Sequence, residues 1–105
     1  MNALRVAAAA EEELRAAVGW YESRRSGLGR RFLSEVERVL NLVRQQPGLG
    51  GPVPRVRTQH EVRRIPLRRF PYFVIYRKRD TEIQIIAFAH TSRKPGYWRH
   101  RARPR

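Results

Sequence analysis

The sequence predicts an α+β fold in which a helix hairpin lies on a small antiparallel sheet, in the order β-α-α-β-β-β with a short C-terminal helix or extension. Three observations predict it. Residues 9–46 carry two successive apolar periodicities of helical spacing, separated by Gly27 and Gly29. GLGGPVP, residues 48–54, is a glycine- and proline-rich break with nothing helical after it. Beyond residue 60 the apolar residues fall into short β-branched and aromatic runs, the longest being EIQIIAFAH at 82–90.

Taken in order, Leu4 to Ala8 reads as a short edge strand feeding the first helix. That helix, from about Ala9 to Ser26, sets Leu14, Ala17, Val18 and Tyr21 on one stripe. Glu11, Glu12 and Glu13 stand in its first turn, where the helix dipole favours negative charge. The second helix, from about Gly29 to Gln46, aligns Phe32, Val36, Val39, Leu40 and Val43, and Pro47 and Gly48 end it. Arg55 to Thr58 and Glu61 to Leu67 read as one strand with a bulge or turn near Gln59 and His60. Phe73 to Arg77 is the next strand, and Arg79, Asp80 and Thr81 turn the chain into the last. By the period of two, Ile83, Ile85, Ala87 and Ala89 share one face of that strand, and Gln84, Ile86, Phe88 and His90 the other. Apolar residues on both faces mark an interior strand covered above and below. Pro95 and Gly96 open a terminal turn or helix bearing Tyr97 and Trp98, and Arg101 to Arg105 are expected to fray.

At 105 residues the chain is expected to be one domain, 1–105, able to bury roughly two-thirds of its unfolded surface. It has no cysteine, which excludes disulfides and thiolate metal sites and is compatible with a reducing cytoplasm. The early glutamate run suits neither a signal peptide nor a spanning helix, so a soluble cytoplasmic protein with no membrane partner is expected. The net charge is +14, and it is unevenly placed. Residues 1–54 hold eight arginines against six glutamates, whereas residues 55–105 hold thirteen arginines and two lysines against three acids. An arginine-rich coding bias would favour arginine over lysine everywhere but would not produce this asymmetry. A polyanion or an acidic protein is the partner such a half-chain suits, and guanidinium forks suit phosphate or carboxylate in particular.

Three groups are candidates for function. Arg63, Arg64, Arg68, Arg69 and Arg77, with Arg55 and Arg57 before them, put alternate guanidinium groups on a sheet face where they would bind phosphates; the simpler reading is a solvated outer face. His90, at the end of the central strand beside Arg93 and Tyr97, has the intrinsic pKa of a proton-transfer group, or else anchors the C-terminal segment. Tyr97 is placed to stack on a base or donate a proton, while Trp98 is expected to pack against the sheet. His60 and His100 are weaker candidates, and the three scattered histidines make no metal site. No phosphate-binding glycine loop, nucleophile elbow or carboxylate pair is present, and no cofactor is implied.

The combination of WYE at 20–22, LG..F..EV at 28–36, VRRIPLRRFPYFVIYR at 62–77 and AH..R.P.YW at 89–98 resembles the RelE/ParE superfamily of toxins from bacterial type II toxin–antitoxin modules. The ParE-like, plasmid-stabilisation branch is the most similar. The resemblance implies a β-α-α-β-β-β fold with a C-terminal extension, a cognate acidic antitoxin forming a hetero-oligomer with the chain, and growth inhibition when that antitoxin is lost. ParE-like members poison DNA gyrase; RelE-like members cut messenger RNA on the ribosome. The scaffold is common to both. Carried onto this sequence, Arg64 and Arg77 are phosphate-binding positions, joined by Arg63, with His90 as acid or base and Arg93 and Tyr97 as C-terminal partners. His90, Tyr97 and Arg64 are catalytic only if the protein is a ribosome-dependent endoribonuclease. Arginines stand where those nucleases are lysine-rich, which sets gyrase inhibition ahead. An inactive nucleic-acid or antitoxin-binding module, or a plain basic RNA-binding domain, remains open at the level of sequence.

Overall fold

The computed structural model describes residues 2–53 and 61–102. The expected strand Arg55 to Thr58, the bulge at Gln59 and His60, and the terminal Arg103 and Arg105 lie outside the described residues. Strand β1 (Ala3–Val6) leads into α1 (Ala8–Arg24) and α2 (Leu28–Gln45). After a one-turn 3-10 segment, Pro47–Leu49, come β2 (Gly51–Pro52), β3 (Arg63–Pro66), β4 (Tyr72–Arg79) and β5 (Glu82–His90). A second 3-10 segment, Arg99–Ala102, ends the described chain. The helix hairpin on a sheet is therefore as the sequence predicts. The sheet is larger and mixed, with order β1-β5-β4-β3-β2. The antiparallel meander β3-β4-β5 carries β1 in parallel on its β5 side and the two-residue β2 on the other.

The hairpin is closed by side chains that the backbone requires. Gly27 adopts φ 89°, in the left-handed region that favours glycine. The Glu22 carboxylate accepts the N–H groups of Gly27 and Gly29, which begin α2 and have no helical partner of their own. A Cβ on Gly29 would stand 2.7 Å from the Val18 carbonyl oxygen, so the two helices meet at a distance only glycine permits.

The sheet buries both faces. Against the helices lie Val74, Tyr76, Ile83, Ile85 and Phe88, meeting Ala10, Ala17, Tyr21, Phe32, Val36, Val39 and Val43. The helical stripes thus turn inward as their spacing predicts. Tyr21, Phe32, Phe70 and Tyr72 form one aromatic cluster with ring centroids 5.0–6.3 Å apart. Much of the WYE and FPY similarity is therefore core packing.

The alternation expected for β5 is corrected by a bulge. Tyr76 pairs with Ile85 and Ile75 with Ala87, which leaves Ile86 as an extra residue. Facing reverses there: Phe88 joins Ile83 and Ile85 beneath the helices, while Ile86, Ala87 and Ala89 share the opposite face with Ile75 and Phe73. The arginines of β3 and β4 were expected to make that opposite face a basic surface, although the apolar second face of β5 and the packing expected of Trp98 called for cover there. It is covered by Trp98 and Ala102 from the C-terminal segment, with Val53 beside them. The tail through Ala102 is docked, not frayed.

Candidate functional site

Four of the six sequence-predicted site residues meet at one place. Arg64, His90, Arg93 and Tyr97 line a cavity of about 350 Å³ at the end of β5, floored by Phe73, Ile75, Ala89 and Trp98. Lys94 and Thr91 complete its rim, and no carboxylate lines it. The Arg64 guanidinium sits 4.2 Å from the centroid of the Phe73 ring, and that of Arg93 sits 3.9 Å from that of Tyr97. Each cation is thereby held over an aromatic face, and among the described residues neither forms a salt bridge.

His90 bridges this cavity and a second one. Its ring packs edge-on against Tyr72 at 5.0 Å, and its Nδ1 accepts the Ser92 backbone N–H at 3.0 Å. A ring nitrogen that accepts an N–H carries no proton itself, so the neutral imidazole holds its proton on Nε2. The second cavity, about 550 Å³, runs between α1 and the sheet and is lined by Ala16, Trp20, Tyr21, Pro71, Tyr72 and Phe88, with Glu13, Arg93 and Tyr97 at its end. Trp20 stands 53 % exposed above it.

Two predicted residues are elsewhere. Arg77 is 2 % exposed: its Nε donates to Gln84 Oε1 and its Nη1 to the Ala102 carbonyl oxygen, both at 2.7 Å. Burial, with Arg79 nearby, lowers its pKa from the usual arginine value. Its position opposite Gln84 on the tail-covered face explains this, because the segment that ends at Ala102 closes over it. Arg63 pairs with Tyr76 and belongs to the helix-side face, opposite to Arg64. It donates to the Gly50 carbonyl oxygen at 2.7 Å and pairs with Glu61. Both arginines serve the fold where a phosphate-binding surface was expected of them. Of the other basic candidates, His100 is exposed in the last 3-10 segment, and Arg55, Arg57 and His60 lie outside the described residues.

The residue that the sequence reading passed over is Glu13. Ala10, Glu13 and Ala17 follow helical spacing, so of the three consecutive glutamates Glu13 alone lies on the stripe of these two buried alanines. Its carboxylate accepts the Phe88 N–H at 3.1 Å, the Tyr97 hydroxyl, and Arg101 Nη1 at 2.9 Å. Arg101 also donates to the Ile86 carbonyl oxygen at 3.2 Å. These backbone groups lie where β1 no longer covers the edge of β5, since the parallel pairing stops at Val6 and Ile85. Glu13 and Arg101 therefore satisfy an exposed strand edge and tie the C-terminal segment to α1.

Tyr97 is committed to that tie. Burial first, and then the hydrogen bond to Glu13, push its pKa well above the ordinary tyrosine value. Burial is also the first cause of the raised values of Tyr21, Tyr72 and Tyr76. Unfolding frees all four phenols, so above about pH 10 the unfolded chain releases protons that the folded chain retains. Stability should accordingly fall as pH rises through that range. Urea midpoints taken between about pH 9 and 11 check this, and Tyr97→Phe should flatten the decline.

Among the described residues no group of three His, Asp or Glu side chains is placed to hold a metal ion, and no helix is long and apolar enough to cross a membrane. No curated protein sequence matches the chain. Among solved structures, a chain of the chromosomal ParDE toxin–antitoxin system from P. aeruginosa superposes with a TM-score of 0.62 at 22 % identity, covering 88 % of this chain and 98 % of that one. That likeness establishes the fold. The family model for the ParE toxin of the type II toxin–antitoxin system parDE matches residues 4–95, from β1 through the rim of the cavity, and by that match the chain belongs to the ParE toxin family.

Proposed function

We propose that this protein is the growth-inhibiting member of a toxin–antitoxin pair, held inactive by a cognate acidic antitoxin and acting, when released, by poisoning DNA gyrase. Membership of the ParE family supports the target class. The observation that carries the choice against phosphodiester cleavage is the state of two residues that cleavage would call on, Tyr97 as a catalytic group and Arg77 as a phosphate-binding one. The Tyr97 hydroxyl is bonded to Glu13 and Arg77 is sealed beneath the tail, so neither presents itself to a scissile phosphate. The antitoxin would lodge apolar side chains in the groove beside Trp20 and Tyr72 and set its acidic residues against Arg93 and the basic C-terminal half. A soluble cytoplasmic complex follows from this reading.

Induction without the antitoxin should stop growth, and co-expression with the adjacent gene should restore it and yield a co-purifying complex. Purified gyrase should accumulate cleaved DNA in the presence of the free protein. Folded His90→Ala, Arg64→Ala and Tyr97→Phe variants should remain toxic. One observation favours a second reading, ribosome-dependent endoribonuclease: Arg64, His90, Arg93 and Tyr97 share a single cavity. Messenger cleavage on ribosomes that disappears in His90→Ala, with gyrase unaffected, would establish that reading and remove the first.

A further inference from the structure

A second basic surface lies away from the cavity at His90. Arg30, Arg31 and Arg38 of α2 and Arg68 and Arg69 of the β3–β4 turn line one open groove of about 810 Å³, together with Leu28, Ser34, Glu35 and Phe70. Arg30, Ser34 and Arg38 succeed one another at four-residue spacing, so the row runs two turns, about 12 Å, along the helix. Arg30, Arg31, Arg68 and Arg69 are exposed. The single carboxylate in the groove is already matched: Glu35 accepts Arg38 Nε at 2.7 Å and Nη2 at 2.8 Å, and it also accepts the backbone N–H of Arg68. Glu35 is thus the one acid set against five arginines, and among the described residues Arg30, Arg31, Arg68 and Arg69 form no salt bridge. Arg69 itself adopts a φ of 68°, a left-handed conformation uncommon for a residue other than glycine, asparagine or aspartate.

We infer that this groove binds the phosphate backbone of double-helical nucleic acid, independently of base sequence. The inference does not rest on the gyrase reading. Guanidinium forks match phosphate oxygens, and two on α2 with two on the β3–β4 turn, lining one groove, offer several contacts to a strand of regularly spaced phosphates. Single strands are disfavoured because Phe70, the one aromatic residue among the described lining, is half-buried and packed edge-on with Tyr21 and Phe32 in the core cluster, so the groove carries no exposed aromatic platform for an unpaired base. An acidic amphipathic peptide is disfavoured because the groove offers no apolar stripe: Leu28 is likewise half-buried against the core.

The test is fluorescence anisotropy of the full-length protein with a duplex DNA of random sequence, a single strand of the same length, and a poly-glutamate peptide, over a range of salt concentrations. The duplex should bind most tightly, and log K should fall linearly with log salt. Each of Arg30→Gln, Arg31→Gln, Arg68→Gln and Arg69→Gln should reduce that slope by about one, and all four together should weaken binding roughly tenfold to a hundredfold at moderate salt. Replacement of the same four by lysine should retain most of the affinity, which separates lost charge from lost folding. Arg5→Gln and Arg15→Gln each remove one charge, from β1 and α1 outside the groove, and each should change the slope less than a single groove variant does. Equal losses from the two sets, a preference for the single strand, or binding of poly-glutamate in place of DNA would each overturn the assignment.

Discussion

Replacing Phe32 by alanine should cost about 3–5 kcal/mol, the range observed when a fully enclosed aromatic ring is removed from a core that cannot collapse around the void. Phe32 has no exposed surface. It lies 5.1 Å from the Tyr21 ring in a stacked arrangement and 5.1 and 5.0 Å from Phe70 and Tyr72 in edge-on ones. These partners come from α1 and from the turn and strand that start the second half of the sheet, so the ring holds three separate parts of the chain together. Against a typical margin of 5–15 kcal/mol, such a loss leaves little or no folded protein at elevated temperature; a drop in Tm of roughly 15–30 °C is expected for a domain of this size. Phe32→Leu, which keeps most of the volume, should cost about 1 kcal/mol. Urea titration of both variants decides it. A penalty below about 1 kcal/mol for the alanine would mean that the aromatic cluster does not anchor the hairpin to the sheet.

Glu13→Gln should destabilise the protein by about 2–4 kcal/mol and release the C-terminal segment. The substitution keeps shape and removes charge, leaving Arg101, whose side chain is 15 % exposed, without its counter-ion. Breaking a buried pair from one side typically costs 3–5 kcal/mol, and the residual exposure of both side chains lowers the expectation here. Arg101 is already a demanding neighbour, because its buried Nε has no hydrogen-bond partner among the described residues. The double variant Glu13→Gln, Arg101→Met should recover part of the loss, with a coupling of about 0.5–3 kcal/mol. Limited proteolysis should meanwhile cut the Glu13→Gln protein between Thr91 and Ala102, a stretch that stays protected in the wild type. Strictly additive penalties, with the tail still protected, would show that Glu13 does not hold it. Since Arg93 and Tyr97 lie on that same segment, its release should also dismantle the cavity at His90.

Much of the architecture was legible in the residues. Helical spacing alone put Phe32, Val36, Val39 and Val43 on the buried side of α2, because a stripe at that period has one way to avoid water. The apolar run 82–90 identified the central strand, and Trp98 was correctly placed in the core. Of the gathering expected of Arg64, Arg77, His90 and Tyr97, three meet at one cavity with Arg93, whereas Arg77 is sealed beneath the tail. Legibility stopped where a residue's fate depends on a neighbour distant in sequence. The extra residue at Ile86 reverses the facing of everything after it, and a bulge leaves no mark on hydrophobic alternation when both faces are apolar.

What the sequence determined by itself is the helix hairpin, the meander, the excess positive charge of the second half and the family to which these belong, since each is written in local spacing or composition. What only the tertiary structure decided is which charges remain available for a partner. Arg77 and Arg101 were claimed by the fold once the tail closed over the sheet, whereas Arg64 and Arg93 lie over aromatic rings at the rim of the cavity. A guanidinium carries the same charge in every window of sequence, but its use is set by whether a carboxylate, a carbonyl or water surrounds it, and that is settled only when distant segments meet.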